Sequence, residues 1–154
     1  DYRTKLEEAR LAIEQGADEL DMVMNLAAFK SNDMAYVETE AAQISALTSQ
    51  NGKTLKVIIE SGSLNEEEII RCCELYRHYP VQFLKTSTGY AEKGASVEAV
   101  RLMRKHLPEQ IQIKASGGIK TAEFAQQLVE AGATRLGCSA SVAIVKGETA
   151  GGHY

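Results

Sequence analysis

The alternation of short apolar, β-branched stretches with amphipathic helical ones restricts the fold of this chain more than any other feature. Strand patterns fall at residues 19–24, 55–60, 83–85, 111–114 and 135–137. Helical patterns fill the gaps. Residues 35–49 place Val37, Ala41, Ile44 and Leu47 on one face, and Asn51-Gly52 ends that segment. Ser63-Leu64-Asn65-Glu66 resembles a capping box opening a helix that runs to about residue 79, before Pro80. Further helices are expected at 96–106, at 121–131 with Gly132 closing it, and at 141–145. The chain opens in another helical segment, where Leu6, Ala9, Leu11 and Ile13 alternate with charged residues up to Gly16. Strands separated by helices pair in parallel, so the fold class is α/β. Two architectures compete at this point, an open doubly wound sheet and part of a (β/α)8 barrel. A closed barrel takes about 250 residues, and this chain has 154.

Composition narrows the function classes. A net charge of -4 with both signs interspersed gives no electrostatic footprint for nucleic acid. No apolar run approaches the roughly 20 residues of a membrane span, and no signal-peptide pattern is visible, so a cytoplasmic location is expected. Cys72 and Cys73 are adjacent on a helical pattern and Cys138 stands apart. That spacing suits reduced, structural thiols rather than disulfides or metal ligands. His78, His106 and His153 are scattered, so no metal site is expected, and the absence of a dinucleotide fingerprint or a Walker loop points away from a nucleotide cofactor. The rhythm is unbroken by linkers, which makes residues 1–154 a single domain with a tail at 147–154.

The chemistry-bearing residues gather at the ends of the strands. Phe83-Leu84-Lys85-Thr86-Ser87-Thr88-Gly89 is an apolar strand ending in one lysine and a run of hydroxyls. An amine among apolar walls is disfavoured in its charged form, and a neutral amine attacks carbonyls to form a Schiff base. A surface lysine at a strand end is the plain alternative. Lys114 ends the next unit in the same way, while Asp21 and Lys56 lie within their own strands, so four titratable groups share one interior if the strands form a barrel. Lys114-Ala115-Ser116-Gly117-Gly118-Ile119 and Leu136-Gly137-Cys138-Ser139 put small residues between a strand and a helix start. Such loops bind phosphate in barrels, although ordinary tight turns have the same composition.

Taken together with Glu19-Leu20-Asp21-Met22-Val23-Met24-Asn25, Leu55-Lys56-Val57-Ile58-Ile59-Glu60 and Lys120-Thr121, these motifs resemble the deoxyribose-phosphate aldolases, a class I aldolase family, nearly from end to end. The resemblance implies a (β/α)8 TIM barrel of which this chain carries strands four to eight, about five of eight βα units. It implies reversible cleavage of 2-deoxy-D-ribose 5-phosphate to acetaldehyde and D-glyceraldehyde 3-phosphate, with no metal and no organic cofactor. By position, Lys85 matches the Schiff-base lysine, Lys114 the second lysine and Asp21 the proton-relaying carboxylate. Tyr154 matches a tail tyrosine that moves a proton in some members. Lys56 matches a supporting lysine, and Gly89, Gly117, Gly118, Gly137 and Ser139 match phosphate-site positions; Ala140 departs from relatives with a second serine there. The partner implied is a small phosphorylated sugar, without nucleic acid or membrane, and a homo-oligomer is compatible with this reading. Two alternatives stand beside it: another phosphate-binding Schiff-base barrel aldolase, and a truncated, inactive copy.

Overall fold

The computed structural model describes residues 1–147, so Tyr154 and most of the expected tail lie outside the described residues. Its chain order is α1 (Tyr2–Glu14), β1 (Glu19–Val23), α2 (Leu26–Lys30), α3 (Met34–Gln50), β2 (Thr54–Ile58), a 3-10 turn (Ser61–Ser63), α4 (Glu66–Tyr76), β3 (Phe83–Lys85), α5 (Val97–His106), β4 (Gln112–Ser116), α6 (Ala122–Glu130), β5 (Arg135–Gly137) and α7 (Ser141–Lys146). The five strands form one parallel sheet in the order β1-β2-β3-β4-β5. This order decides between the two architectures. A doubly wound sheet reverses direction at a switch point, whereas right-handed crossovers between strands laid down in sequence put every helix on the same face, as in a barrel.

The sheet's two faces follow from the pleat, which sends successive side chains to opposite sides. Leu55, Val57, Leu84, Ile113 and Ala115 face the helices and are fully buried. They meet Ile44 and Val37 of α3, Cys72, Cys73 and Tyr76 of α4, Val100 and Met103 of α5 and Leu128 of α6 in one continuous core. Both cysteines are free and buried, as their spacing suggested. Burial of side chains of this size contributes roughly 1.5–3 kcal/mol each. The other face carries Glu19, Asp21, Lys56, Lys85, Lys114 and Arg135 at the alternate positions. Parallel strands covered on both sides would read as unbroken apolar runs; here the polar half of each strand marks the face that carries chemistry.

Caps set the boundaries. Asp33, Asn65, Ser96 and Thr121 each cap a helix by accepting a backbone N–H. The capping box starts two residues later than expected, at Asn65 rather than Ser63. Asn65 Oδ1 accepts from the Glu68 amide at 2.9 Å and Glu68 Oε2 accepts from the Asn65 amide at 2.8 Å, because Ser61–Ser63 are taken up in the 3-10 turn. The α4 helix stops at Tyr76, short of the expected residue 79, where Pro80 disfavours helical backbone in the residue before it. Strand β2 likewise ends at Ile58 rather than 60, since Glu60 turns into the left-handed region at φ 53. Helix α2 was not expected; Asn25 caps it through the Ala28 amide at 3.0 Å.

The fully buried Glu40 secures the end of β1. It accepts from Lys5 Nζ at 2.6 Å and from the Asn25 amide at 2.9 Å, while Lys5 also donates to the Val23 carbonyl at 2.6 Å. A buried carboxylate must be paired in this way, and the pairing ties α1, α3 and the last turn of β1 together two residues beyond Asp21. Among the described residues, no helix is long and apolar enough to cross a membrane.

Packing of this kind makes a direct prediction. Leu84→Ala should lower the free energy of unfolding by about 2–5 kcal/mol, while Val129→Ala, on the exposed side of α6, should change it by less than about 0.5 kcal/mol. Urea titration of both variants checks this, and equal effects would show that Leu84 is not a core residue.

Candidate active site

The site is built around one carboxylate. Asp21 Oδ1 accepts from Lys85 Nζ and from Lys114 Nζ, both at 3.0 Å, and Asp21 Oδ2 accepts from Lys56 Nζ at 3.0 Å. Strand register makes this convergence unavoidable. Asp21 pairs with Lys56 across β1 and β2, and Lys85 pairs with Lys114 across β3 and β4 one pleat higher. Long lysine stems from three strands then reach the same short aspartate. Their exposure grades with depth: the side chains of Lys56, Lys85 and Lys114 are 2%, 12% and 17% accessible, against 30% for Asp21. Lys56 is the deep, structural member, and Lys85 and Lys114 reach toward the open end.

A second carboxylate lies beneath the first. Glu19 Oε2 accepts from Lys56 Nζ at 2.8 Å and from Arg135 Nη1 at 2.6 Å, and the Arg135 guanidinium lies 4.9 Å from the centre of the Phe83 ring. Lys56 therefore bridges two acidic groups and holds Asp21 Oδ2, leaving Oδ1 for the two outer amines. Glu19 and Arg135 were not singled out from the sequence. The available signal was the strand period: Glu19 stands two residues before Asp21 and so must share its face.

Electrostatics follow from this arrangement. Burial alone would push the Asp21 carboxyl up, but the hydrogen bonds from Lys85, Lys56 and Lys114 more than reverse it and hold the group well below the usual carboxylate range. Glu19 is drawn down to about 2, chiefly by the Arg135 hydrogen bond and then by Lys56. Both acids are ionised at neutral pH. Four basic groups against two acidic ones leave the face net positive, which suits an anionic substrate.

The glycine loops lie above this cluster. Gly89 follows β3, Gly117 and Gly118 follow β4, and Gly137 ends β5. A methyl group on Gly137 would fall 2.9 Å from Ser116 Cβ and 3.4 Å from Lys114 Cε, so this glycine makes room for the Lys114 stem. The loops after β3 and β4 touch: a methyl group on Gly117 would lie 3.3 Å from Ser87 Cβ and 3.5 Å from Gly89 Cα, and Gly117 has φ 87. Gly89, Gly118 and Ser139 are exposed. Hydroxyls stitch the two loops: Thr86 Oγ1 donates to the Ser116 carbonyl at 3.1 Å and accepts from its amide at 3.0 Å, and Ser116 Oγ donates to the Ser87 carbonyl at 2.6 Å. Lys85, Lys114, Asp21 and Lys56 are thus brought together at one point, with Gly89 and Gly117 side by side and Gly137 packed under Lys114. The expected catalytic Tyr154 lies outside the described residues.

The chain as a whole is similar to proteins of known sequence and structure. A family described as DeoC/LacD family aldolase matches residues 1–148. The deoxyribose-phosphate aldolase of Thermococcus kodakarensis is 48% identical over 143 residues, covering 93% of this chain and 64% of that protein. The enzyme of the same name from Lactococcus lactis subsp. cremoris is 46% identical over 147 residues, covering 96% and 66%. The chain therefore spans slightly less than two thirds of the length of these relatives. Among solved structures, the aldolase QR15 superposes with a TM-score of 0.88 at 41% identity, covering 95% of this chain and 65% of that one. A deoxyribose phosphate aldolase from Aeropyrum pernix, described as tetrameric, gives 0.85 at 31% identity, covering 95% and 61%.

The pairing of Asp21 has a pH signature. Its depressed folded-state value adds stability that is fully present above the unfolded value of about 3.9 and is lost as pH falls through the folded one. At pH 7, Asp21→Asn should be less stable than the parent by about 1–2 kcal/mol, allowing for partial exposure. That gap should narrow steadily below about pH 4. Urea midpoints of both proteins between neutral and strongly acidic pH measure it; a gap that stays constant would rule out the pairing.

Proposed function

The chain belongs to the DeoC/LacD family of aldolases, and on that premise we propose that it cleaves 2-deoxy-D-ribose 5-phosphate reversibly to acetaldehyde and D-glyceraldehyde 3-phosphate through a Schiff base on Lys85. The observation that carries the proposal is the single Asp21 oxygen shared by Lys85 and Lys114, each at 3.0 Å. Lys85 and Lys114 both stand where a strand runs into a glycine loop; Lys85 takes the Schiff base because Thr86-Ser87-Thr88 follow it directly and it matches that position in the aldolase pattern.

The chemistry balances on these groups. Lys85 first passes its ammonium proton to Asp21, and the neutral Nζ then attacks C1 of the open-chain sugar and forms a carbinolamine. Asp21, held by Lys114, carries one nitrogen proton to the new alkoxide and then gives the hydroxyl the proton taken from the Lys85 ammonium, so that water departs and nitrogen keeps its last hydrogen. The resulting iminium draws electrons. The C3 hydroxyl gives its proton to Asp21, the C2–C3 pair moves into a C1–C2 double bond, and D-glyceraldehyde 3-phosphate departs with C3 as its aldehyde, while Asp21 keeps the proton for return to C2. Protonation of C2 and attack of water on the imine then release acetaldehyde and regenerate the Lys85 amine. Lys56 stays out of the bond changes and fixes the Asp21 carboxylate in plane. The net positive face and the loops bearing Gly89, Gly117, Gly118 and Ser139 support a phosphate at the far end of the sugar.

Reductive trapping tests the proposal. Borohydride added with acetaldehyde or 2-deoxyribose 5-phosphate should leave a stable adduct on Lys85, located by peptide mass spectrometry. Lys85→Ala should abolish it, and Lys114→Ala should slow trapping by about 100-fold or more. An adduct on another lysine, or none, would contradict the assignment. A panel of donor aldehydes separates deoxyribose-phosphate cleavage from another Schiff-base aldolase activity.

A further inference from the structure

Among the described residues just past the strand ends, Glu60 combines a strained backbone with a buried carboxyl group. It adopts φ 53 and ψ 57, a left-handed conformation that a side chain disfavours, and it is only 6% accessible. Backbone strain of this kind persists only where the surroundings over-determine it, and it concentrates at functional sites. Its side chain explains what holds it. Glu60 Oε2 accepts from Thr88 Oγ1 at 2.6 Å, and both carboxylate oxygens receive the Thr88 amide at 3.3 Å. The Thr88 hydroxyl, its proton committed to Glu60, turns a lone pair to the Tyr90 amide at 3.2 Å. This chain of hydrogen bonds closes the turn Thr88-Gly89-Tyr90 on both sides of Gly89, which has φ 96. The next residue extends the clamp, since the Ser61 amide donates to the Thr86 carbonyl at 2.7 Å. Packing leaves little slack, because a methyl group on Gly62 would meet the Lys93 carbonyl oxygen at 2.3 Å.

We propose that Glu60 is a positioning residue for phosphate recognition: from the end of β2 it fixes the Gly89 turn so that its backbone is preorganised for the substrate's phosphate. The inference rests on the aldolase reading of the same site and adds to it a residue that touches neither the reacting carbons nor Lys85. Its side chain points into the loop, while Lys85 is held separately by Asp21 and by its strand, including the Ile59 amide bound to the Lys85 carbonyl at 3.0 Å. Losing Glu60 therefore acts on the phosphate end of the substrate and spares the amine end. A glutamine keeps the length and one acceptor oxygen but turns an NH2 group toward donors that need an acceptor. Glycine relieves the backbone strain and removes the clamp altogether.

The test separates the two ends by trapping on Lys85 with three carbonyl compounds: acetaldehyde, 2-deoxyribose and 2-deoxyribose 5-phosphate. Half-saturating concentrations are measured for the parent chain, Glu60→Gln and Glu60→Gly. For both variants the value for the phosphorylated sugar should rise by about tenfold or more, with shifts several-fold smaller for 2-deoxyribose and acetaldehyde. Glu60→Gly serves as the control for folding, because it removes strain yet should show the same selective loss. Equal shifts for all three compounds would reduce Glu60 to a structural role, and no shift for the phosphorylated sugar would overturn the inference while leaving the aldolase reading intact. A parent chain that traps none of the three overturns that reading, and this inference with it.

Discussion

The attraction between one short carboxylate and three long amines is the interaction on which the rest of the site depends. Asp21 cannot reach far, so the lysines come to it from β2, β3 and β4. An uncompensated amine at the end of an apolar strand is costly, and sharing Asp21 removes much of that cost without dispersing the positive charge. The parallel register supplies the geometry. Had β3 and β4 been offset by one residue, Lys85 or Lys114 would have faced the helices, because a slip of one reverses every side chain.

Beneath this cluster, Lys56 and Glu19 convert a surface-like ion pair into a layered one. Lys56 is almost inaccessible and touches both Glu19 and Asp21, so its charge is answered on two sides, as a buried cation requires. Above it, backbone and hydroxyl contacts tie the loop after each strand to the next: Ser61 to Thr86, Thr88 to Glu60, and Thr86 to Ser116. The molecule thus has an ionic floor and a hydrogen-bonded rim, and the Lys85 amine stands between them. Preorganisation of this sort, rather than any one contact, is what lets a protein stabilise a transient charge.

Much of this was legible in the residues. The βα rhythm implies the parallel sheet, and the strand-end positions of Lys85 and Lys114, together with Asp21 and Lys56, point to one interior. Strand order came only from the resemblance to the aldolases, since periodicity says which residues form strands and nothing about which neighbours they choose, and the observed order agrees with it. Local chemistry misled at the start of α4: Ser63 and Glu66 have the right spacing for a capping box, but Asn65 and Glu68 have it too, and the tight turn at Ser61–Ser63 gave the cap to the second pair. Glu60 was hidden for a different reason. Its role depends on a left-handed backbone and on Thr88, which is distant in sequence, and no periodic pattern reports either. Arg135 and Glu19 were within reach, because the period of two already placed them on the face of Asp21.

The most direct test of the central claim, that Asp21 gathers the amines into imine-forming machinery, is solvent exchange at the methyl group of acetaldehyde. Imine formation followed by reversible loss of a C2 proton to the enamine carries deuterium from D2O into acetaldehyde without any sugar, and mass spectrometry or proton NMR follows it. The account predicts exchange catalysed by the parent chain and slowed by about 100-fold or more in Asp21→Asn. Exchange at equal rates in both proteins, or no catalysed exchange in the parent chain, would contradict it.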